Sequence, residues 1–249
     1  MDDRTEVLRK TRQLVQLYQS GKLGGSTMPE DSNPGFPRGS KENYTYFTLP
    51  MALNYQRNSY KLWEAAAATS SDPATADAFD MASAAGMPER VLQEKLTRYN
   101  LALQRNKQPA IWQTLCRTFH EAYGDQVRNL FEEQGRSVKR IKACMSAHKK
   151  RFPYLSGNKI MNYWLYVMEK YTDMVFVDRW ELTVAPDTHI IQASEKLGVI
   201  SHEERASSKV QETVARAWEV ILSGTELCPI DVHTPLWLWS RSGFAETVE

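Results

Sequence analysis

Two residues stand out in this sequence for the chemistry that their positions allow, Lys159 and Asp187. Lys159 follows a turn at 153–157 and falls in the first turn of an expected helix. Backbone N–H groups there favour a bound phosphate and disfavour the cationic form of a lysine, and partial burial would disfavour that charge further. A neutral lysine is a nucleophile that can form a Schiff base, whereas a charged one would only contact phosphate.

Asp187 also has two interpretations. It follows Pro186 and precedes an expected helix that Gly198 closes, so its simplest role is that of an N-cap. A capping carboxylate that also faces a cleft can stabilise positive charge that develops on a sugar. The presence of both an amine and a carboxylate favours a catalytic interpretation over two separate structural ones.

The positive charge of the chain is concentrated beside Lys159, although the net formal charge is only +1. Residues 136–159 contain eight basic side chains and no acidic one. Such segregation gives a local positive field suited to a phosphate backbone, and a solvated helix face is the alternative interpretation.

The composition argues against several other classes of protein. Cys116, Cys144 and Cys228 are isolated, which argues against a disulfide framework, a zinc ribbon or an iron–sulfur cluster. The histidines are scattered, so neither a metal nor a cofactor is expected. No apolar stretch reaches membrane-spanning length, and the N-terminus lacks the apolar core of a signal peptide. We therefore expect a protein without membrane contact, in a reducing, cytoplasmic setting.

Helical periodicity runs through most of the chain and predicts an all-α fold of two helical lobes with a cleft. A Gly/Pro/Ser-rich loop at 20–46 is too long for a simple connection, which indicates a functional or disordered segment. Residues 174–184 predict a short extended excursion or a small hairpin. Trp218 and Trp239 are expected in the core. The predicted helices lie at about 3–19, 48–68, 73–85, 88–104, 108–122, 124–134, 137–150 and 157–171, between Asp187 and Gly198, from the capping box of Ser201 and Glu204 to Gly224, and at 234–242.

The order of these elements resembles the helix–hairpin–helix DNA glycosylase superfamily. FPYLSGNK is similar to that family's LPGVGxK turn, and APDTHIIQASEKLGV to its VDxHV…RLGL segment, over about residues 151–199. The turn differs by retaining only Gly157 of the usual glycines. Asp187 also follows Lys159 by 28 positions, a longer spacing than in most members.

Within that superfamily the chain is most similar to the archaeal 8-oxoguanine (GO) glycosylases. KIMNY resembles their KILNY, CPIDVHTPLWLWSR resembles HLDTLLWL, and NYQRNSYKLWEAA resembles a helix that carries a base-contacting tryptophan. The resemblance implies one glycosylase domain over 1–249, in which 136–199 holds the helix–hairpin–helix motif and the catalytic aspartate. It also implies a DNA glycosylase with AP lyase activity, which flips a damaged base, 8-oxoguanine above all, out of double-stranded DNA. Such an enzyme is expected to be a monomer, associated with the nucleoid in the cytoplasm of a prokaryote or located in the nucleus of a eukaryote.

The resemblance also assigns roles to individual residues. Lys159 becomes the Schiff-base nucleophile and Asp187 its electrostatic partner. In a rival register, set by KIMNY, the nucleophile is instead Lys149 or Lys150. The residues implied to bind the extruded base are Trp63, Trp237, His233 and Asp231, and those implied to contact DNA are Lys149, Lys150, Arg151, Ser156, Gly157, Asn158 and His189.

Three other functions remain open from the sequence. A non-catalytic nucleic-acid-binding module would use the same hairpin and bind duplex with a strong salt dependence. An enzyme acting on the glycosidic bond of a free or RNA nucleoside would need Asp187, with Lys159 only binding phosphate. A helical interaction protein would place all the tryptophans in its core.

Overall fold

The computed structural model describes residues 3–23 and 27–248, and every regular element within them is a helix, which confirms the all-α class. The predicted loop at 20–46 falls partly on residues 24–26, which lie outside the described residues. The α-helices of the described part are α1 (Asp3–Gln19), α2 (Lys41–Thr48), α3 (Ser59–Ser71), α4 (Met81–Gly86), α5 (Glu89–Arg98), α6 (Lys107–Tyr123), α7 (Val127–Glu133), α8 (Val138–Ala147), α9 (Asn158–Tyr171), α10 (Thr188–Lys196), α11 (His202–Arg205), α12 (Val210–Leu222) and α13 (His233–Arg241). Short 3-10 helices lie at Pro29–Asp31, Pro50–Leu53, Ala76–Phe79, Arg179–Glu181 and Pro229–Val232.

The chain divides into two compact units. The terminal unit comprises Met1–Thr27 and Arg179–Glu249, and the central unit comprises Met28–Asp178. Helices α2 to α9 therefore belong to the central unit, whereas α1 and α10 to α13 belong to the terminal unit. Lys159 lies in the central unit and Asp187 in the terminal unit.

An aromatic cluster forms much of the core of the central unit. The rings of Tyr46 and Trp63 lie 5.6 Å apart between centroids, and Phe79 meets the edge of Trp112 at 5.0 Å. Tyr46, Trp63 and Trp112 are fully buried. Each such side chain removes a large apolar area from water, about 1.5–3 kcal/mol of transfer free energy, so the cluster holds α2, α3 and α6 together.

The core of the terminal unit forms where α13 packs against α1 and α10. Trp218 of α12 is fully buried and donates from Nε1 to Ser194 Oγ of α10 at 2.9 Å. Trp239 of α13 is 3% exposed. The core positions predicted for Trp218 and Trp239 are thus confirmed.

The predicted helix at 48–68 is wrong, because two shorter elements replace it. The loop predicted at 20–46 also ends earlier than expected, since α2 already begins at Lys41. Pro50 begins a 3-10 helix after α2, as expected of a residue without a backbone donor. Asn58 then caps a new helix, α3, by accepting from the Lys61 N–H at 3.3 Å.

Local hydrogen bonds also explain why the predicted helix from Ser201 to Gly224 is interrupted. The predicted capping box is present, with Glu204 N–H bonded to Ser201 Oγ at 3.2 Å, but α11 ends at Arg205. Ser207 Oγ accepts from the Lys209 N–H at 3.2 Å before α12 begins. Such short side-chain bonds compete with the helical pattern.

The small hairpin predicted as one alternative for residues 174–184 is wrong. Within the described residues this segment is irregular and contains only the 3-10 helix Arg179–Glu181. Its Val177 N–H donates to the Arg136 carbonyl at 3.1 Å, and its Asp178 accepts from the Val138 N–H at 2.6 Å. The segment follows the start of α8 instead of pairing with itself.

Candidate functional site

Helices α8 and α9 of the central unit and the turn between them form the segment that the sequence predicts to contact DNA, and we call this segment the hairpin. The start of α8 is capped by Ser137 and Asp178, since Asp178 accepts from Ser137 Oγ at 2.7 Å and from the Val138 N–H at 2.6 Å. Although burial acts in the opposite direction, these hydrogen bonds hold the pKa of the Asp178 carboxyl below its usual range. Lys142 of α8 donates to Asn162 of α9 at 2.8 Å, which ties the two helices together.

The turn between these helices spans 148–157 and is longer than the predicted one. Tyr154 adopts φ 60°, and its carbonyl accepts from the Gly157 N–H at 3.0 Å. A Cβ at position 157 would lie 3.2 Å from that carbonyl, so a glycine suits this close approach. The ring of Tyr154 stacks on Tyr55 with centroids 4.2 Å apart, and Lys107 Nζ lies 4.9 Å from the Tyr154 centroid. The turn is therefore anchored by side chains from outside the hairpin.

Two of the amides expected to bind phosphate are used inside the turn. The Ser156 N–H donates to the Phe152 carbonyl at 3.0 Å, and the Gly157 N–H is bonded to Tyr154. The Ser156 side chain is also buried. Ser156 and Gly157 are thus corrected from DNA contacts to parts of the turn. Gly157 supplies no side-chain cap, so the amides open to a phosphate are those of the first turn of α9, from Asn158 onward.

Lys159, the second residue of α9, is exposed to solvent. Its ammonium group has no hydrogen bond or ion pair with the described part of the chain. Burial therefore does not contribute to disfavouring the charge of Lys159, and its predicted role as a nucleophile stays a prediction. Lys149, Lys150, Arg151 and Asn158 are exposed as well. The hairpin thus presents several positive side chains and an uncapped helix N-terminus to solvent.

Asp187 of the terminal unit is the N-cap of α10, as predicted. Its Oδ1 accepts from the N–H groups of His189 and Ile190 at 2.9 and 3.0 Å. Its Oδ2 accepts from Trp237 Nε1 at 3.0 Å. The carboxylate is half-buried and is held at both oxygens, so its orientation is set by α10 and by α13.

Trp237 donates its indole hydrogen bond to this carboxylate, and its ring is not exposed for a base to stack on. The residue is 9% exposed, the guanidinium carbon of Arg241 lies 5.1 Å from its ring centroid, and His189 meets it edge-on at 5.3 Å. His189 Nδ1 is hydrogen-bonded to Ser240 Oγ at 3.2 Å. Trp237 is thus buried in a cluster around Asp187, which leaves its ring unavailable for stacking on a base. His189 belongs to the same cluster, and its contact with DNA stays a prediction.

His233 and Asp231 lie near this cluster in the chain and have structural partners. Nδ1 of His233, which is 3% exposed, accepts from the Ala185 N–H at 3.3 Å and so holds the segment leading to Asp187. Asp231 accepts from Arg179 at 2.6 Å and from the Cys228 N–H at 2.8 Å. Burial leaves His233 out of reach of a base, which corrects its predicted role. Asp231 is half-buried, and its contact with a base stays a prediction.

Trp63 of the central unit was also expected to stack on a base. It is fully buried, and its Nε1 donates to Glu30 Oε1 at 3.0 Å. A base has no access to a ring in that position, so Trp63 is a core residue.

Sequence reasoning did not single out Glu30, the buried carboxyl group that Trp63 contacts. It is 1% exposed, and Tyr163 of α9 donates to the same Oε1 at 3.1 Å. Its Oε2 is buried without a hydrogen-bond partner among the described residues. Burial raises the pKa of the Glu30 carboxyl to about 7. The only sequence signal was its place in the long Gly/Pro/Ser-rich loop, where a charged residue is normally exposed.

No family model matches this chain, and no curated protein is significantly similar to it. The resemblance of residues 151–199 to helix–hairpin–helix glycosylases accordingly stays a prediction. Among the described residues, no helix combines the length and hydropathy that crossing a membrane requires, and no cluster of His, Cys, Asp and Glu is arranged to hold a metal ion.

Proposed function

We propose that this protein is a base-excision DNA glycosylase with AP lyase activity, and that 8-oxoguanine in double-stranded DNA is the first lesion to test. Lys159 carries the proposal. Its amine is exposed, lacks a polar partner among the described residues and follows the uncapped start of α9. An amine without an ion pair can approach a sugar carbon, and it attacks there in its neutral form. The resemblance of its turn to the glycosylase motif adds support.

The surroundings of Lys159 suit a DNA strand. Lys149, Lys150 and Arg151 are exposed on the same hairpin, and no acidic residue interrupts residues 136–159. The first amides of α9 favour an anion at that end of the helix. A phosphate held there would bring the sugar of a neighbouring nucleotide towards the amine.

The proposed reaction begins when the damaged nucleotide leaves the helical stack, at a cost of a few kcal/mol. The Lys159 nitrogen then bonds to C1′ while the glycosidic bond breaks, and the base leaves with the bonding electron pair. The sugar ring opens to give an imine. Loss of the C2′ proton expels the 3′-phosphate and cuts the strand, and hydrolysis of the imine restores the amine.

Asp187 is proposed to stabilise the positive charge that develops on the sugar as the base departs. Its carboxylate is fixed by α10 and by Trp237, so it needs little reorganisation to act on a cation. The same contacts also suit a carboxylate that only caps a helix, and the variants described in the Discussion separate these roles.

Covalent trapping with borohydride tests the proposal directly. Wild-type protein is incubated with duplexes that carry 8-oxoguanine, an alkylated base, a deaminated base or an abasic site, and borohydride reduces any imine to a stable adduct. We expect an adduct that Lys159→Gln abolishes and that Lys149→Gln and Lys150→Gln retain. Undiminished trapping by Lys159→Gln, with loss in one of the other variants, would move the nucleophile to that residue.

One observation favours a second candidate, a DNA-binding protein without catalysis. Trp63 and Trp237, the expected partners of a flipped base, are both buried. Such a protein would bind duplex through the hairpin with a steep salt dependence and release no base. Salt-dependent binding with neither base release nor an adduct on any lesion would select this candidate.

A further inference from the structure

A groove in the central unit is lined by none of the residues assigned to the proposed reaction. It has a volume of about 620 Å³ and lies between α3 and the segment that follows α5. Arg57, Asn58 and Lys61 line one side, and Tyr99, Asn100 and Leu103 line the other. Its volume falls within the range of sites for small organic ligands and far exceeds that of a bare ion. We call it the Arg57 groove.

Arg57 is the unusual residue of this groove. Its guanidinium donates to the carbonyls of Leu101 and Asn100 at 2.7 and 3.1 Å. These contacts use two of its five N–H bonds but supply no negative charge. No carboxylate of the described residues pairs with Arg57, and its Nε is buried without a hydrogen-bond partner. Burial lowers the pKa of Arg57 from its usual range, as expected for a cation that is partly desolvated and uncompensated.

The acidic residues beside the groove are already paired. Glu64, which also lines it, accepts from Lys61 at 2.8 Å. Asp72 accepts from the Tyr99 hydroxyl at 3.0 Å and pairs with Arg98 at 3.3 Å. An anion from outside the protein is therefore the natural partner for Arg57.

Two residues next to the Arg57 side chain have a positive φ, its chain neighbour Gln56 and its hydrogen-bond partner Asn100. Gln56 has φ 51° and Asn100 has φ 60°. Positive φ is uncommon outside glycine, and asparagine adopts it readily just after the end of a helix, as Asn100 does after α5. Here the two residues bracket the hydrogen bonds that hold the guanidinium at the groove.

The rest of the lining suits a ligand larger than a phosphate. Ala65 and Ala68 follow Lys61 along one face of α3 and form a small apolar floor, with Leu103 opposite and 53% exposed. The carboxamides of Asn58 and Asn100 offer donors and acceptors at the rim. A guanidinium, amides and an apolar floor together match an anionic group attached to a flat polar ring.

We propose that the Arg57 groove binds a nucleotide through its phosphate, either as a free mononucleotide or as a unit of a nucleic-acid strand. Arg57 holds the phosphate, and the floor of α3 accepts the base or the sugar. The site goes beyond the proposed glycosylase activity and does not require Lys159 chemistry, so either can fail alone.

Calorimetric titration of the full-length chain tests this site with four probes: adenosine 5′-monophosphate, adenosine, inorganic phosphate and a single-stranded hexanucleotide. We expect the monophosphate or the hexanucleotide to bind, and adenosine to bind at least about tenfold more weakly than the monophosphate, because a charge-assisted hydrogen bond is lost. Binding of the monophosphate assigns the site to a free nucleotide, whereas binding of the hexanucleotide alone assigns it to a strand.

Two variants and a control localise the binding. Arg57→Gln removes the positive charge, whereas Ala68→Leu fills the groove without changing any charge. Ala68→Leu therefore tests the site even if Arg57→Gln does not fold. We expect each variant to lower the affinity for the probe that wild type binds by about tenfold or more. Arg90→Gln, on the exposed face of α5, should leave binding unchanged. The proposal is overturned if no probe binds, if inorganic phosphate alone binds, or if wild type, Arg57→Gln and Ala68→Leu bind every probe with equal affinity. It is also overturned if wild type binds adenosine and its monophosphate measurably and equally well.

Discussion

The indole Nε1 of Trp237 donates a hydrogen bond to Oδ2 of Asp187 at 3.0 Å, between residues that are 50 positions apart in the chain. The other carboxylate oxygen of Asp187 caps α10. One side chain thus starts a helix and also receives a tertiary hydrogen bond from α13. Asp187 therefore has two structural roles besides the catalytic role proposed for it.

Substitutions of Asp187 separate capping from charge. Asparagine is as good an N-cap as aspartate, so Asp187→Asn should lower the free energy of unfolding by less than about 1 kcal/mol. Asp187→Ala loses the cap and leaves Trp237 without this acceptor, for a total of roughly 2–3 kcal/mol. Urea denaturation measures both values. If Asp187 acts on the sugar, Asp187→Asn should still slow base release about a hundredfold. Normal base release by the folded Asn variant would leave Asp187 with its structural role alone.

A double-mutant cycle measures the bond between Trp237 and Asp187. Trp237→Phe keeps an aromatic ring and removes the N–H donor, so we expect a loss of about 1.5–3 kcal/mol, typical of a hydrogen bond to a charged group. Combined with Asp187→Ala, the two losses should be non-additive by about 1–2 kcal/mol. Trp239→Phe, on the same helix, is the matched control, because Trp239 Nε1 donates instead to the Glu246 carbonyl. Additive losses in the first cycle would show that the indole–carboxylate bond contributes no stability.

The buried carboxyl of Glu30 predicts that stability depends on pH. Its pKa rises from 4.5 to about 7 on folding, so between these values the folded chain keeps a proton that the unfolded chain has lost. Stability should therefore fall as the pH rises through this window and level off above it. Over the whole window the free energy of unfolding should fall by roughly 3 kcal/mol.

Glu30→Gln tests this pH dependence, because the amide does not ionise. We expect its stability relative to wild type to increase between about pH 5 and pH 8, by roughly 3 kcal/mol over the whole range. The exposed Glu121→Gln on α6 serves as the matched control. A difference between Glu30→Gln and wild type that does not change with pH would mean that Glu30 stays charged in the folded protein.

Salt dependence tests the contact between the hairpin and DNA. Each lysine that neutralises a backbone phosphate contributes about 0.9 to the slope of log affinity against log salt. We expect Lys149→Gln and Lys150→Gln each to reduce that slope by about 1 on undamaged duplex. Lys209→Gln, an exposed lysine just before α12, should leave it unchanged. Equal slopes for all three variants and wild type would place the DNA on another surface.

Patterns that act over a few residues could be predicted from the sequence. The 3.6-residue periodicity predicts the all-α class and sets α1 and α9 to within a residue or two of their observed ends. The N-cap at Asp187 and the capping box at Ser201 are present because such bonds join residues two or three positions apart. Where local bonds compete, as at Ser207, prediction from periodicity was wrong.

The partners of the candidate residues depended on the tertiary structure. Tyr163 reaches Glu30 across 133 positions, and Trp237 reaches Asp187 across 50. The same long-range packing buries Trp63, which resembles a base-stacking residue in sequence, and leaves Lys159 exposed at the start of α9. Sequence by itself determined the helices and the types of side chain that they carry. Which of those side chains are accessible, paired or desolvated was decided only by tertiary packing, because burial and charge compensation depend on groups that are distant in the chain.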